Sequence, residues 1–231
     1  MPQTSNTFDW ARFWTEKSTQ LTDFQATGRS TVSQLGFLRT LRAVAMQLKL
    51  NAADRLLDVG CGTGLFSIAF ADRVAEIVAL DISAGMVERA QKNTQDIDNI
   101  EISLGSLPNI DGEDESFDKI LVYSVLQYLP DESVVAAAFS EIARLLRVGG
   151  IAVFGCNPDP LKRAVYMDFL TLNTPPEDLP NSIALLERTL WISADRMIEI
   201  AADFGLSARA ESIHSEIWQH FYMFDLVVEK R

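Results

Sequence analysis

The densest chemistry in this 231-residue chain lies in Leu56-Leu57-Asp58-Val59-Gly60-Cys61-Gly62-Thr63-Gly64. Glycines at alternate positions accept positive φ and let the backbone come close to a ligand. The following Leu65-Phe66-Ser67-Ile68-Ala69-Phe70 opens a helix whose first amides point back toward the turn. Strand, glycine turn and helix together make a cradle for a nucleotide-like cofactor. Asp58 stands ahead of the turn, and the third glycine comes one step earlier than in the dinucleotide-binding fingerprint.

A second acid supports the cradle. Asp81 ends Ile77-Val78-Ala79-Leu80-Asp81, where a carboxylate faces the first crevice of a doubly wound sheet and can accept from both ribose hydroxyls. Its alternative task is to cap the helix that begins at Ser83. The two histidines, His214 and His220, are the groups whose ordinary pKa suits proton transfer near neutrality, and Glu216 and Trp218 lie beside them. Surface or structurally bonded histidines are the plainer reading. Tyr166, Phe169, Trp191 and Trp218 offer aromatic walls for a small ligand, or ordinary core. Lys162, Arg163 and Arg188 are bases near these residues that could meet an acidic ligand.

These groups need a scaffold, and the apolar pattern supplies one. From Thr31 to Leu50, Val32, Leu35, Leu38, Leu41, Val44, Ala45 and Leu48 fall at helical spacing. Strands are expected at 55–59, 76–81, 100–104, 118–123 and 151–156, separated by helices at 64–73, 84–93 and 131–146. Such alternation means a parallel sheet covered on both faces, with the strand ends gathered on one edge. Residues 157–190 carry Pro158, Pro160, Pro175, Pro176 and Pro180 around two short helical stretches. This segment is expected to leave that edge and lie over the crevice. A helix at 194–204, stopped by Gly205, and strands near 206–213 and 221–229 close the chain. The expected fold is α/β, a Rossmann-like doubly wound, mostly parallel seven-stranded sheet with helices on both faces. It is expected as one domain over 1–231: an N-terminal helical cap (1–50), a core (51–157), a lid insertion (158–192) and a C-terminal part (193–231). The aromatics Phe8, Trp10, Phe13, Trp14 and Phe24 have no clear period and need something to cover.

Composition narrows the partners. Thirty-two acids against 20 bases give a formal charge of −12, which repels a phosphate backbone, so no nucleic-acid partner is expected. Mean hydropathy is +0.07 and no apolar run reaches about 18 residues, so no membrane span is expected. Met1–Thr7 lacks the pattern of a secretory signal, and a cytoplasmic location is the default expectation. Cys61 and Cys156 are too few for a disulfide framework, have no zinc-site spacing, and read as buried thiols that the sheet could bring near one another. No metal site is expected.

Several motifs together resemble the class I S-adenosylmethionine (SAM) dependent methyltransferases, in particular the small-molecule methyltransferase domain. Asp58 to Gly64 is similar to the family's first motif, Leu80-Asp81-Ile82-Ser83 with Met86 to its second, and Phe117-Asp118-Lys119-Ile120 to its fourth-strand entry. Arg144-Leu145-Leu146-Arg147-Val148-Gly149-Gly150 resembles the turn before its fifth strand, with Val148 where proline is usual. The resemblance is close over about residues 50–157.

It implies that SAM is the cofactor and S-adenosylhomocysteine (SAH) the product. Asp58, Gly60, Cys61, Gly62 and Gly64 would hold the amino acid end, Asp81 the ribose, and Ile82 and Met86 the adenine faces. Met86 also suits plain helix core. Ser106, followed by Leu107, stands where the family usually has an aspartate for the adenine amino group. Tyr123 and Ser124 are further cofactor candidates, and Arg29 could reach the SAM carboxylate if the N-terminal segment folds over the site. Gln127 and Tyr128 are candidates for positioning a substrate, with Tyr166, Trp191 and Trp218 lining an acceptor pocket. Methyl transfer to oxygen or nitrogen of a small-molecule acceptor is the implied reaction, with His214 or His220 as a base where the acceptor needs one. Two other readings stay open: a catalytically silent binding or assembly module of this fold, and an NAD-dependent oxidoreductase, which the glycine spacing opposes.

Overall fold

The computed structural model describes residues 8–29 and 32–231. The reading of Met1–Thr7 and the expected helix start at Thr31 lie outside these residues. The chain runs α1 (Trp10–Lys17), α2 (Asp23–Ala26), α3 (Gln34–Leu48), β1 (Arg55–Val59), α4 (Leu65–Phe70), β2 (Glu76–Asp81), α5 (Ala84–Thr94), β3 (Ile100–Leu104) and β4 (Phe117–Tyr123). It continues with α6 (Glu132–Leu145), β5 (Leu146–Pro158), α7 (Arg163–Asn173), α8 (Leu179–Leu186), α9 (Ala194–Asp203), β6 (Leu206–Ser212) and β7 (Met223–Lys230). Side-chain caps mark the main helix starts: Ser33 accepts from the Gly36 amide, Ser83 from Met86, Asp131 from Ser133 and Val134, and Ser193 from Arg196.

The strands form one seven-stranded sheet in the order β3-β2-β1-β4-β5-β7-β6. β7 is antiparallel to β5 and β6, and the other neighbours are parallel. Within each strand the side chains alternate between two apolar layers, as a period of two requires. Leu57, Val59, Ile120, Val122, Ala152 and Phe154 meet α6 and α9 through Phe139, Ile142, Met197 and Ile200. Leu56, Leu121, Tyr123, Ile151 and Val153 meet α3, α4 and α5 through Phe37, Leu48, Phe66 and Val87. Covering both faces is what lets the central strands be apolar throughout.

The order reverses direction between β1 and β4, so the turns that follow these two strands diverge around a crevice. Backbone shape there is specialised. Ser124 follows β4 at φ 61°, and Cys156 within β5 has φ 63°. The register of β5 against β7 shifts between Phe154 and Asn157, a bulge that contains Gly155 and Cys156. A Cβ on Gly155 would overlap the Tyr123 ring. Gly149-Gly150, expected as a turn ahead of the strand, lies inside β5, where pairing with β4 shifts register between Phe117 and Lys119.

The segment 158–192 does emerge after β5, as α7 and α8. Its aromatics pack on the β6–β7 connection, with Tyr166 stacked on Tyr222 at 4.0 Å and Phe169 facing Trp218 at 5.9 Å. Among the described residues no helix is long and apolar enough to cross a membrane.

Gly155→Ala is expected to destabilise the fold by about 1–3 kcal/mol, since the added methyl must displace a packed ring. Gly149 has φ 80° and open space around it, so Gly149→Ala should cost only about 1 kcal/mol of backbone strain. Urea unfolding of the two variants checks the ranking, and equal losses would refute the packing argument.

Candidate active site

The glycine turn is fastened to the end of β2. The Leu80 carbonyl accepts from the amides of Gly60 at 2.7 Å and Cys61 at 2.9 Å. Asp81 Oδ2 accepts from the Gly62 amide at 2.8 Å, and its Oδ1 accepts from the Ser83 amide at 2.9 Å. The ribose and capping readings of Asp81 are therefore compatible, because each oxygen keeps acceptor capacity after one backbone bond. The carboxyl is raised above its ordinary range, mainly by burial, against which the Ser83 and Gly62 amides work.

Beside this seam lies a cavity of about 270 Å³. Of the residues singled out in the sequence, Arg29, Gly60, Gly62, Asp81, Ile82, Met86, Ser106, Leu107, Tyr123, Ser124 and Tyr128 line it. A Cβ at Gly60 would overlap Val125, and one at Gly62 would come within 2.9 Å of the Thr27 methyl, with φ of 75° and 58°. Both positions are thus held to glycine by conformation and by space. Ile82 is 45% exposed on the cavity wall while Met86 is buried, so an apolar surface stands open to a flat group there. These features fit a nucleoside joined to an amino acid: a carboxylate for hydroxyls, an apolar face for a base, backbone amides and one guanidinium for a charged end.

Other sequence candidates fall elsewhere. Asp58 is buried behind the turn, where its Oδ2 accepts from the Ser67 hydroxyl at 2.6 Å. Burial pushes Asp58 up to about 6, opposed by the Ser67 bond and the Arg29 charge and reinforced by Asp81. Cys61 and Cys156 are free, buried and in the same apolar cluster; burial raises both thiols, Cys156 to about 12. Gly64 sits against Ala90 and Thr94 of α5, a packing position. Gln127 is buried beside the cavity and donates to Ser124 Oγ at 3.2 Å, while its Oε1 has no partner among the described residues. Tyr166, Trp191 and Trp218 belong to the separate aromatic cluster under α7. Lys162 and Arg163 are exposed, and Arg188 lies 4.7 Å from the Phe8 ring.

Neither histidine lines the cavity. His214 is exposed, accepts from the Glu216 amide at 3.2 Å, and borders a different hollow between α3 and the β6–β7 edge. His220 shares its hydrogen bond with the Ile217 carbonyl at 2.8 Å. The cover over the crevice likewise comes from another element than expected. None of residues 158–192 lines the cavity, whereas Trp10 and Trp14 of α1 do, with Thr27, Leu129, Pro130 and Val134. α1 is held down by Thr15, whose hydroxyl meets that of Ser83 at 2.9 Å, and by Arg89 of α5, which donates to the Ser18 and Gln20 carbonyls and to Asp23. The unplaced aromatics of the sequence were the signal for this wall.

Comparison with known proteins matches residues 56–150 to the methyltransferase domain family. This segment belongs to that family. The chain has the fold of the class I SAM-dependent methyltransferases, a mixed sheet with one antiparallel hairpin. Demethylmenaquinone methyltransferases are similar to it: that of Staphylococcus saprophyticus is 30% identical over 115 residues, 48% of each chain. That of Staphylococcus haemolyticus is 33% identical over 113 residues, 48% of this chain and 46% of the relative. The match thus spans about half the length of these curated relatives. Among solved structures, the magnesium protoporphyrin IX methyltransferase of Synechocystis with bound SAH has a TM-score of 0.65 at 22% identity, over 92% of this chain and 89% of that one. The N-methyltransferase NodS of Bradyrhizobium japonicum, also with SAH, gives 0.65 at 18% identity, over 94% and 95%. The fold of this methyltransferase domain is one that binds SAM and SAH.

Because folded Asp58 keeps its proton to about pH 6 and the unfolded chain only to about 3.8, its contribution favours the fold most in acid and is lost as pH rises through that window. Asp58→Asn removes this dependence and can still accept from Ser67. Relative to the parent chain, the variant should gain on the order of 3 kcal/mol of unfolding free energy between pH 3.5 and pH 7. Urea unfolding at both pH values checks this, and a pH-independent difference would show that Asp58 is ionised throughout.

Proposed function

We propose that this chain is a methyltransferase enzyme that binds SAM in the cavity beside the glycine turn and passes its methyl group to oxygen or nitrogen of a small-molecule acceptor. The observation that carries this reading is the convergence on one cavity of Gly60, Gly62, Asp81, Ile82, Met86, Ser106 and Ser124, residues from four separate loops. In it Asp81 holds the ribose hydroxyls, Ile82 and Met86 the adenine faces, Ser106 the adenine edge, and Arg29 the carboxylate. Tyr123 and Ser124 border the reacting end. The bound cofactor supplies a methyl group on a positively charged sulfur. The chain's work is then alignment and exclusion of water, since in-line displacement needs the acceptor held on the axis of the breaking bond. Trp10 and Trp14 close the cavity from outside, and Val125, Leu129 and Val134 dry its wall.

The relatives named as acting on demethylmenaquinone and magnesium protoporphyrin support an organic acceptor of modest size. The net charge of −12 weighs against nucleic acid. The same reading takes the chain as one domain, because both apolar layers share one sheet, and sets the reaction in the cytoplasm. Ser106 in the place of the usual acid gives the silent-module alternative its one foothold.

Calorimetry separates these readings: SAH should bind and NAD should not. Asp81→Ala should weaken SAH by about 10- to 100-fold, the worth of charge-assisted hydrogen bonds to two hydroxyls. Full affinity in that variant would sink the ribose assignment, and binding without methyl transfer to any acceptor would favour the silent module.

A further inference from the structure

The choice between oxygen and nitrogen follows from the ionisable groups at the cavity, given the preceding reading of which residues take SAM. Four ionisable side chains line it among the described residues: Arg29, Asp81, Tyr123 and Tyr128. Residues 1–7 and 30–31 are Met, Pro, Gln, Thr, Ser and Asn, and add no acidic or basic side chain. Asp81 has an amide on each oxygen and faces the ribose. Tyr123 and Tyr128 are held in the protonated form by burial, and Arg29 is a cation. His214 and His220 are not at the cavity. Nothing here is placed to take a proton from an acceptor.

That limits the chemistry. A hydroxyl or a carbon acceptor must shed a proton as it is methylated. An acceptor that arrives as an anion needs a cation, and Arg29 is the single cationic side chain lining the cavity among the described residues, already assigned to the SAM carboxylate. A neutral amine needs neither. Its lone pair forms the N–C bond while the C–S bond electrons return to sulfur, giving a neutral thioether and moving the positive charge to nitrogen.

The remaining wall suits that charge. Trp10 and Tyr128 have ring centroids 4.5 Å apart, and Trp14 meets Tyr128 edge-on at 5.5 Å, a continuous aromatic surface at the cavity. Leu129, Pro130 and Val134 extend it with apolar surface. Aromatic faces attract alkylated ammonium groups and disfavour anions. We propose that the acceptor is a neutral amine on an apolar body, methylated on nitrogen without an enzyme base, with Trp10, Trp14 and Tyr128 stabilising the ammonium product.

Product-like probes test this on the SAH-loaded full chain. Benzyltrimethylammonium should bind about tenfold tighter than benzyl alcohol or benzoate, read by tryptophan fluorescence and calorimetry. Trp14→Leu should abolish that preference and Trp14→Phe retain most of it, which separates ring electrostatics from mere filling of space. With SAM, N,N-dimethylbenzylamine should be turned over faster as pH approaches the pKa of the free amine. Benzoate or benzyl alcohol binding as tightly as the ammonium, or an ammonium that does not bind while SAH does, would overturn the proposal. Failure of SAH itself to bind would instead overturn the cofactor reading on which it rests.

Discussion

The site depends on one seam, where three successive amides of the glycine turn bond to the end of the neighbouring strand. Gly60 and Cys61 share the Leu80 carbonyl, and Gly62 takes the Asp81 carboxylate. This requires β1 and β2 to be parallel and in register, with Val59 opposite Leu80. It also requires positive φ at Gly60 and Gly62, which bends the backbone away from Val125 and Thr27 and leaves a hollow there. The same carboxylate that shapes the turn therefore faces the cavity. Ligand contact and turn geometry are coupled through Asp81, and its loss would disturb both.

Much of this was legible in the sequence because its causes are local or periodic. β1, β2 and β3 begin and end where apolar alternation and flanking polar residues place them. The seven strands and the reversal between β1 and β4 followed from alternation with helices, and so did the meeting of Gly60, Asp81 and Ser124. Asp58 and Gly64 were legible as motif members, yet the structure gives them supporting positions. Asp58 bonds Ser67 behind the turn, and Gly64 lets α4 approach α5. A motif records which residues a turn needs; it does not say which of them touch the ligand.

The cover was less legible for a physical reason. α1 has no fully buried residue, so its helical period carries little contrast between a wet and a dry side. Its aromatics face a cavity instead of a core, and a cavity leaves no pattern in sequence. The proline-rich segment was the stronger signal for a lid, but its own aromatics find partners in Phe221 and Tyr222 and hold it to the sheet edge. The histidines were attractive by type alone. Proton chemistry depends on location, and the topology sends both to the far side of β7.

The strained residues point to what fixes the depth of the cavity. Ser124 and Cys156 both adopt positive φ without being glycine, each at a cost of about 1–3 kcal/mol that its surroundings must offset. Their offsets are linked: the Ser124 amide donates to the Gly155 carbonyl, and the Cys156 amide donates to Asp225, which also accepts from Gln47 of α3. Gly155 between them leaves room for the Tyr123 ring. A bulge in β5 thus lets a large ring form the inner wall of the cavity at the end of β4. Were β5 regular, a side chain at 155 would push Tyr123 outward into the space proposed for the reacting end. The floor of the site is set from behind by Asp225 and Gln47, residues that never reach it, as much as by the glycine turn in front.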